Sequence, residues 1–524
     1  MKGPIEESMN KKRIYIYVIP ACIALTLIAI IGWGYTHLSF QEEQVDTDLY
    51  TLIPANSEAI LEANDLNALN KTIQNSHYAD KYHLLHISEL LKILTHNIDV
   101  ISRQQAHGLS TEMNSQLIVS FHAPGTVHDQ VIYGRFGNGD INSITRLMRQ
   151  NRGNAHSPKT LVYQGEEIII YPIGNNFLAC YFQPGFFAVS FQEKLIEKVI
   201  DTYKNERSVA TTAPSLNTLR KQTKHNEPLS LYLHPENNDK EWIRYDIRMN
   251  ASAIYLANYQ TVIDTCKNEE SIILHKRLDD KLLPENIQLV VQKSFVHSQT
   301  TENISPQATL NTILAENGCK EIGLIHFSQP TSTDTLYHQL LMVPIPISYI
   351  DQLKTALRYP LHAKRRASIW LHNTPYPIWQ CETDSTLNSY FFSQQTTNGY
   401  WLSIYQNNLL VATTRETLHH YLADIHEEKS PMPHTSNKKA YIHCLEDLAE
   451  ESNFTMVTDL NDFIYQYPRM AENTPWVPSL FLKHKDFFKH FMLSTQHIHT
   501  DGHISSQVIL TYQGDSLLSK QARN

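Results

Sequence analysis

The histidines near the C-terminus are the side chains whose types and spacing most resemble a chemical site. His497, His499 and His503 flank the tripeptide Thr500-Asp501-Gly502. Side chains alternate along a strand, so His497 and His499 share a face, and Asp501-Gly502 would turn the chain to bring His503 alongside. Three imidazoles are a typical ligand set for zinc or copper. The sequence therefore suggests a metal site at His497, His499 and His503. The alternative is that these histidines are structural or lie on the surface.

Other patterns of catalytic chemistry are absent from the sequence. The chain contains no Gly-x-Ser-x-Gly, His-Glu-x-x-His or Walker pattern. Glu166 and Glu167 are neighbours on a predicted strand, so their side chains face opposite sides and do not form a carboxylate dyad. The six cysteines lie far apart, which excludes a zinc ribbon, and Cys180 in its apolar run is predicted to be a core thiol. No cofactor is predicted, and common hydrolases are disfavoured.

The histidine hairpin is also the last element of a faint internal repeat. Three segments recur in the same order, the first pair 230 positions apart: Leu52–Leu61 with Leu282–Val291, Phe187–Ile200 with Leu409–Leu422, and Trp242–Leu256 with Met492–Ser506. In the first copy of the hairpin the histidine positions hold Ile247, Met249 and Ala253, which cannot bind metal. The repeat predicts two related units at residues 49–278 and 279–515.

Each unit is predicted to mix strands and helices. Short apolar runs bounded by Gly, Asn and Pro predict strands, for example at 59–63, 116–123 and 131–136. Helical periodicity predicts helices at 84–99, 141–150 and 308–316. Because regular βαβ spacing is missing, the predicted fold class is α+β, with mainly antiparallel sheets and packed helices in both units, preceded by an N-terminal transmembrane helix.

The predicted transmembrane helix covers residues 14–35. This stretch carries no charge and is long enough to cross a bilayer of about 30 Å. Lys11-Lys12-Arg13 precedes it and Glu42-Glu43 follows it, so residues 1–13 are predicted to form a cytoplasmic tail and the body to lie outside the cytoplasm. A cleaved signal peptide and a lipoprotein modified at Cys22 are the alternatives. Residues 36–48 would form a linker and 516–524 a C-terminal tail.

The overall charge bears on the class of partner. The formal net charge is −9, so the chain offers no electrostatic basis for binding nucleic acid. In the body that follows the predicted transmembrane helix, the one basic cluster is Lys364-Arg365-Arg366, which is predicted to be a solvated loop.

The opening of the first unit resembles a known family. The run Leu52–Asp65, with Leu-Ile-Pro-Ala-Asn-Ser-Glu-Ala at its start, resembles envelope proteins that carry a domain of unknown function, numbered 3352, and occur notably in Bacteroidota. This resemblance implies an envelope location and no particular activity, so it assigns no catalytic residue.

These observations lead to a functional expectation. The chain is expected to be a single-pass protein of the inner (cytoplasmic) membrane. Its periplasmic body would bind a protein, lipid or glycan of the envelope or act as a scaffold. The alternative is a metal-dependent envelope hydrolase that uses His497, His499 and His503.

Overall fold

The computed structural model describes two units of similar size. Contacts between Cα atoms divide the chain at residues 1–258 and 259–524. The described residues are 47–64, 75–78, 116–123, 129–136, 158–173, 176–183, 185–222, 229–234, 242–261, 274–295, 309–330, 335–359, 361–383, 385–388, 390–391, 399–426, 437–466, 485–500 and 503–513.

The first unit is built on an antiparallel sheet that contains ten strands of the described chain. These strands are β1 Ala59–Ala63, β2 Leu117–Phe121, β3 Gln130–Phe136, β4 Lys159–Tyr163, β5 Glu166–Ile173, β6 Asn176–Gln183, β7 Gly185–Ser190, β8 Leu229–Leu233, β9 Ile243–Met249 and β10 Ala253–Thr261. Their order across the sheet is β4-β5-β6-β7-β3-β2-β1-β8-β9-β10. The first strand in sequence, β1, therefore lies inside the sheet, between β2 and β8.

Short helices pack on this sheet. They are a 3₁₀ helix at Leu49–Leu52, α1 Glu193–Asn205, α2 Val209–Thr212 and α3 Pro214–Gln222. Helix α1 buries Leu195, Ile196, Val199 and Ile200, whose spacing puts them on one helical face, and it contacts β6 and β7. The 3₁₀ helix begins where the Asp48 carboxylate accepts a hydrogen bond from the Tyr50 amide at 3.1 Å.

The second unit repeats the same sheet. Its strands are β11 His275–Lys276, β12 Ile287–Ser294, β13 Glu321–Pro330, β14 Thr335–Pro344, β15 Lys364–Leu371, β16 Thr374–Cys381, β17 Tyr400–Tyr405, β18 Asn408–Ala412, β19 Glu451–Ser452, β20 Phe454–Asp459, β21 Phe491–Thr500 and β22 His503–Tyr512. The order is β15-β16-β17-β18-β14-β13-β12-β20-β21-β22, again antiparallel. Position by position, this is the order found in the first unit. The short strands β11 and β19 form a separate antiparallel pair.

The helices of the second unit are also short. They are 3₁₀ helices at Asp280–Leu282 and Ile347–Tyr349, and α4 Leu310–Glu316, α5 Ile350–Arg358, α6 Ser385–Asn388, α7 Arg415–His426, α8 Lys438–Glu446, α9 Leu460–Gln466 and α10 Lys485–Phe488. The first of them starts like its counterpart in the other unit, since the Asp279 carboxylate accepts a hydrogen bond from the Lys281 amide at 3.0 Å.

All three sequence matches fall on equivalent elements of the two sheets. Leu52 and Leu282 each end a 3₁₀ helix that leads into the central strand, β1 or β12. The second match covers β7 with α1 and β18 with α7, and the third covers the hairpins β9–β10 and β21–β22. The strand prediction for 59–63 is confirmed at both ends. The unit boundary placed after residue 278 stays a prediction.

The predicted fold class needs correction. The described chain is dominated by antiparallel sheet, and its longest helix, α1, has 13 residues. Strands prevail because the apolar residues run continuously or alternate, as in β7 and β12, over segments too short for helices. An α+β fold behind an N-terminal transmembrane helix is therefore not what the structure shows. Residues 14–35, together with the helices predicted at 84–99 and 141–150, lie outside the described residues. None of the described helices has the length and apolar character needed to cross a membrane.

The prediction of a loop at Lys364-Arg365-Arg366 was also wrong. These residues begin β15, a strand at the end of the second sheet. They are exposed, as expected, but their backbone pairs with β16. Charged residues occur both in exposed loops and on strands at the edge of a sheet. The sequence therefore could not distinguish the two, which explains the error.

Candidate functional site

The strand register decides which of the C-terminal histidines share a face. Strand β21 pairs with β22 so that His497 lies opposite Ser506, His499 opposite Ile504 and Thr500 opposite His503. Directly paired residues in an antiparallel sheet lie on the same face, and neighbours along a strand alternate. The register therefore brings positions 497 and 499 together and assigns position 503 to the other face.

The two histidines that share a face are embedded in the fold. His497 Nδ1 lies 2.6 Å from Ser506 Oγ, and the His499 amide donates to Asn453 Oδ1 at 2.6 Å. Burial lowers the pKa of His497 to about 4 and also lowers the pKa of His499. Among the described residues, no group of three His, Cys, Asp or Glu side chains is arranged to hold a metal ion.

A different polar cluster lies in the first unit, around a buried acid on the central strand β1. Glu62 is only 1% exposed. Its carboxylate accepts hydrogen bonds from Tyr50 Oη at 2.9 Å, from Tyr232 Oη at 3.2 Å and from the side-chain amide of Gln116. The pKa of Tyr50 is raised well above its ordinary value and that of Tyr232 to about 12. Burial is the larger cause in both cases, and the negative charge of the nearby Glu62 is the second. Both phenols therefore remain protonated donors.

Arg220 of α3 packs against the outer side of this cluster, where it contacts Tyr50 and Asp48. Its guanidinium carbon lies 3.5 Å from the centre of the Tyr50 ring, a cation–π contact. Two guanidinium nitrogens also donate to the Asp48 carboxylate at 3.0 and 3.2 Å. The arginine thus joins α3 to the start of the 3₁₀ helix and covers the phenol that binds Glu62.

The second unit has the same acid–amide pair with the two groups exchanged. Gln292 stands 230 positions after Glu62, on the central strand β12. The neighbouring-strand residue equivalent to Gln116 is Glu321, because Lys293 pairs with Ile322 as Ala63 pairs with Leu117. The Gln292 amide donates to Glu321 Oε2 at 3.2 Å. The interaction is preserved while the carboxylate has moved from the central strand to its neighbour.

The exchanged carboxylate lies at the end of a chain of polar contacts. Glu321 Oε2 lies 3.1 Å from His275 Nδ1, and His275 Nε2 lies 2.8 Å from Ser294 Oγ. The serine ends β12, the histidine begins β11 and the glutamate begins β13. His275 is 5% exposed, while Ser294 and Glu321 are partly exposed. A serine, an imidazole and a carboxylate in this order make up the triad that activates a hydroxyl in acyl transfer.

Neither cluster is among the sites predicted from the sequence. None of these residues belongs to a motif, and the three that form the chain are dispersed over 47 positions of sequence, from His275 to Glu321. One signal was available: the 230-position offset of the first sequence match places Glu62 over Gln292, a polar pair within apolar strands. A polar residue at the same place in both central strands needs partners in both units.

The cysteines do not contribute a reactive thiol in the described part of the chain. Cys180, Cys319, Cys381 and Cys444 are buried and unbridged. The core position predicted for Cys180 is confirmed. Burial raises the pKa of Cys319 to about 12 and that of Cys444 to about 11, so both stay protonated at neutral pH.

Comparison with known proteins adds little. No family model and no curated protein matches the chain. One solved structure, entitled "Structure of crystal form I of TP0453", is similar over 73% of this chain and 98% of its own, at 11% identity. The TM-score of that superposition is 0.21, so the likeness supports no statement about fold or function.

Proposed function

We propose that this chain is a binding protein of the cell envelope that takes up a protein partner along a sheet edge. The observation that carries the proposal is the repeated edge strand. Strands β4 and β15 occupy the same end of their respective sheets, and each pairs on one side only among the described residues. An edge strand leaves backbone N–H and C=O groups available, which an extended peptide can pair with.

The two edges differ in how well they are protected. Strand β15 begins with three basic side chains and contains a register irregularity between Arg366 and Ile369, two features that discourage strand addition. Strand β4 pairs with β5 in unbroken register. Its apolar side chains Leu161 and Val162 are 37% and 71% exposed to solvent. We therefore assign the binding role to β4, and the partner is an extended polypeptide segment with apolar side chains.

The envelope location forms part of the same proposal. It is supported by the resemblance of Leu52–Asp65 to an envelope family. Cell fractionation combined with protease digestion of intact and permeabilised cells would test it. We expect the body to be digested only after the outer barrier is opened, and digestion that requires lysis of the cytoplasm would contradict the location.

Site-specific crosslinking tests the binding role. A photoreactive amino acid at Val162 should give a reproducible protein adduct in the native envelope, whereas the same group at Asp351, which is exposed on α5, should not. A charge placed in the edge by Leu161→Lys should reduce the Val162 adduct several-fold, because an unpaired charge within a strand interface is costly. Equal adducts at Val162 and Asp351 would overturn the proposal.

A further inference from the structure

We propose that the second unit carries an acyl-transfer site in which Ser294 is the nucleophile, His275 the general base and Glu321 the group that orients the base. The substrate class is a carboxylic ester. This inference stands apart from the binding role, since it depends on the three side chains and not on the sheet edge.

One hydrogen bond and one ion-pair contact indicate the direction in which the proton moves. The 3.1 Å ion-pair contact between His275 Nδ1 and Glu321 Oε2 favours the tautomer that carries the imidazole proton on Nδ1. His275 Nε2 is then the acceptor, and it receives the Ser294 hydroxyl at 2.8 Å. Both distances lie in the range expected between a nucleophile, its base and the group that orients the base.

The glutamate is itself held in place. The Gln292 amide donates to Glu321 Oε2 at 3.2 Å and to the Lys276 carbonyl at 2.5 Å. This one amide therefore ties the carboxylate to the backbone of β11, the strand that carries His275. A base whose orientation is fixed before the reaction loses less entropy when the transition state forms.

The exposure of Ser294 and the comparison of the two repeats both place the acyl-transfer site in the second unit. Ser294 is the last residue of β12 and is partly exposed, while His275 behind it is shielded from water at 5% exposure. In the first unit the positions equivalent to Ser294 and Glu321 hold Asn64 and Gln116. Neither residue can act as a nucleophile or as an anion, so the chemistry belongs to one copy of the repeat.

The reaction is an ordinary nucleophilic acyl substitution. Ser294 Oγ forms a bond to the ester carbonyl carbon while its proton passes to His275 Nε2. The carbon–oxygen bond to the alcohol then breaks, and the alcohol leaves with the proton from His275. Water attacks the acyl-serine with His275 again as base, which releases the carboxylic acid and restores the Ser294 hydroxyl.

Labelling of the full chain with a fluorophosphonate probe tests the site. We expect a single adduct, located on Ser294 by mass spectrometry. Ser294→Ala should abolish it, and Glu321→Gln, which removes the charge, should slow labelling by about 100-fold or more. Ser506 is the matched control, because its hydroxyl contacts His497 Nδ1 at 2.6 Å and Ser506→Ala should leave labelling unchanged.

Two results would overturn the inference. One is the absence of an adduct on Ser294 in the full wild-type chain, when the probe has not altered the melting temperature of that protein. The other is labelling that survives Glu321→Gln at the original rate, as a merely structural histidine–glutamate contact predicts. Should Ser294→Ala not fold, Ser294→Cys keeps a nucleophile beside His275. That thiol should react with iodoacetamide faster than buried Cys319 and Cys444, and equal rates would contradict the proposal.

Discussion

Exchanging the acid and the amide of the first unit is the most informative perturbation of this fold. In the single variant Glu62→Gln, three donors lose an anionic acceptor: two phenols and the Gln116 amide. Hydrogen bonds to a charged group contribute about 1.5–3 kcal/mol and neutral ones about 0.5–1.5 kcal/mol, so each bond weakens by about 1 kcal/mol. We therefore expect Glu62→Gln to lower the free energy of unfolding by about 3 kcal/mol.

The double variant Glu62→Gln/Gln116→Glu should recover part of this loss. It re-forms the acid–amide pair in the orientation that Gln292 and Glu321 adopt in the second unit. The phenols of Tyr50 and Tyr232 still face a neutral acceptor, so recovery is limited to the exchanged bond. The expected coupling between the two substitutions is about 1 kcal/mol or more in the stabilising direction.

Urea denaturation of the four proteins in this cycle measures the coupling, with near-ultraviolet circular dichroism reporting the tertiary structure around the tyrosines. Asp351→Asn, at a side chain that is 95% exposed, is the control and should change stability by less than about 0.5 kcal/mol. If the effects of Glu62→Gln and Gln116→Glu simply add, the two side chains do not act as a pair. The equivalence drawn between the two units at this position would then be wrong.

Two further predictions concern stability. Burial lowers the pKa of His326 to about 3 from its ordinary 6.5, so the unfolded chain binds more protons between these values and stability falls as the pH drops through this window. From pH 7 to pH 5 His326 contributes about 2 kcal/mol to this loss of stability, at 1.36 kcal/mol per pH unit. Urea titrations at the two pH values should show the loss reduced by that amount in His326→Leu and unchanged in His443→Gln, whose side chain is 67% exposed. Gly399 has φ +87° and an added Cβ would lie 2.2 Å from the Cys381 carbonyl oxygen, so Gly399→Ala should lower the melting temperature by several degrees, and an unchanged melting curve would contradict the backbone geometry.

The strands were largely predictable because their signal is local. Residues 59–63 and 131–136 show apolar runs bounded by turn residues, and strands lie at or within one residue of those limits. The order of strands in each sheet was not predictable. Strand β1 pairs with β2, where Ala63 lies opposite Leu117 at a distance of 54 positions in sequence, and with β8, where Ile60 lies opposite Tyr232 at a distance of 172 positions. No local pattern encodes either pairing.

The register of the C-terminal hairpin bears on the histidine hypothesis. The sequence located the β21–β22 hairpin, and alternation correctly grouped His497 with His499. The position of His503 depended on the register, which a shift of one residue reverses. With Thr500 paired to His503, residue 503 falls on the opposite face. In a hairpin the register follows from the turn, and Asp501-Gly502 is a dipeptide typical of two-residue turns, in which the residues on either side pair. The sequence therefore did indicate that position 503 lies on the face opposite to His497 and His499.

The exchanged pair shows how one repeat can keep its fold while the surroundings of its charge change. In the first unit the carboxylate is on the inner strand, where Tyr50 and Tyr232 enclose it and their raised pKa values keep them as donors. Moving the acid to Glu321, at the start of the neighbouring strand, leaves it partly exposed and within reach of an imidazole.

Glu62 is buried because it lies within β1 under Tyr50 and Tyr232, whereas Glu321 is the first residue of β13 and stays partly exposed. A carboxylate buried as deeply as that of Glu62 can only be satisfied by internal donors. Glu321, at the start of the neighbouring strand, is partly exposed and contacts the buried His275, which in turn reaches the partly exposed Ser294. The same acid–amide hydrogen bond therefore serves stability in one unit and positions a base in the other, which is why the two units should respond differently to loss of their carboxylates.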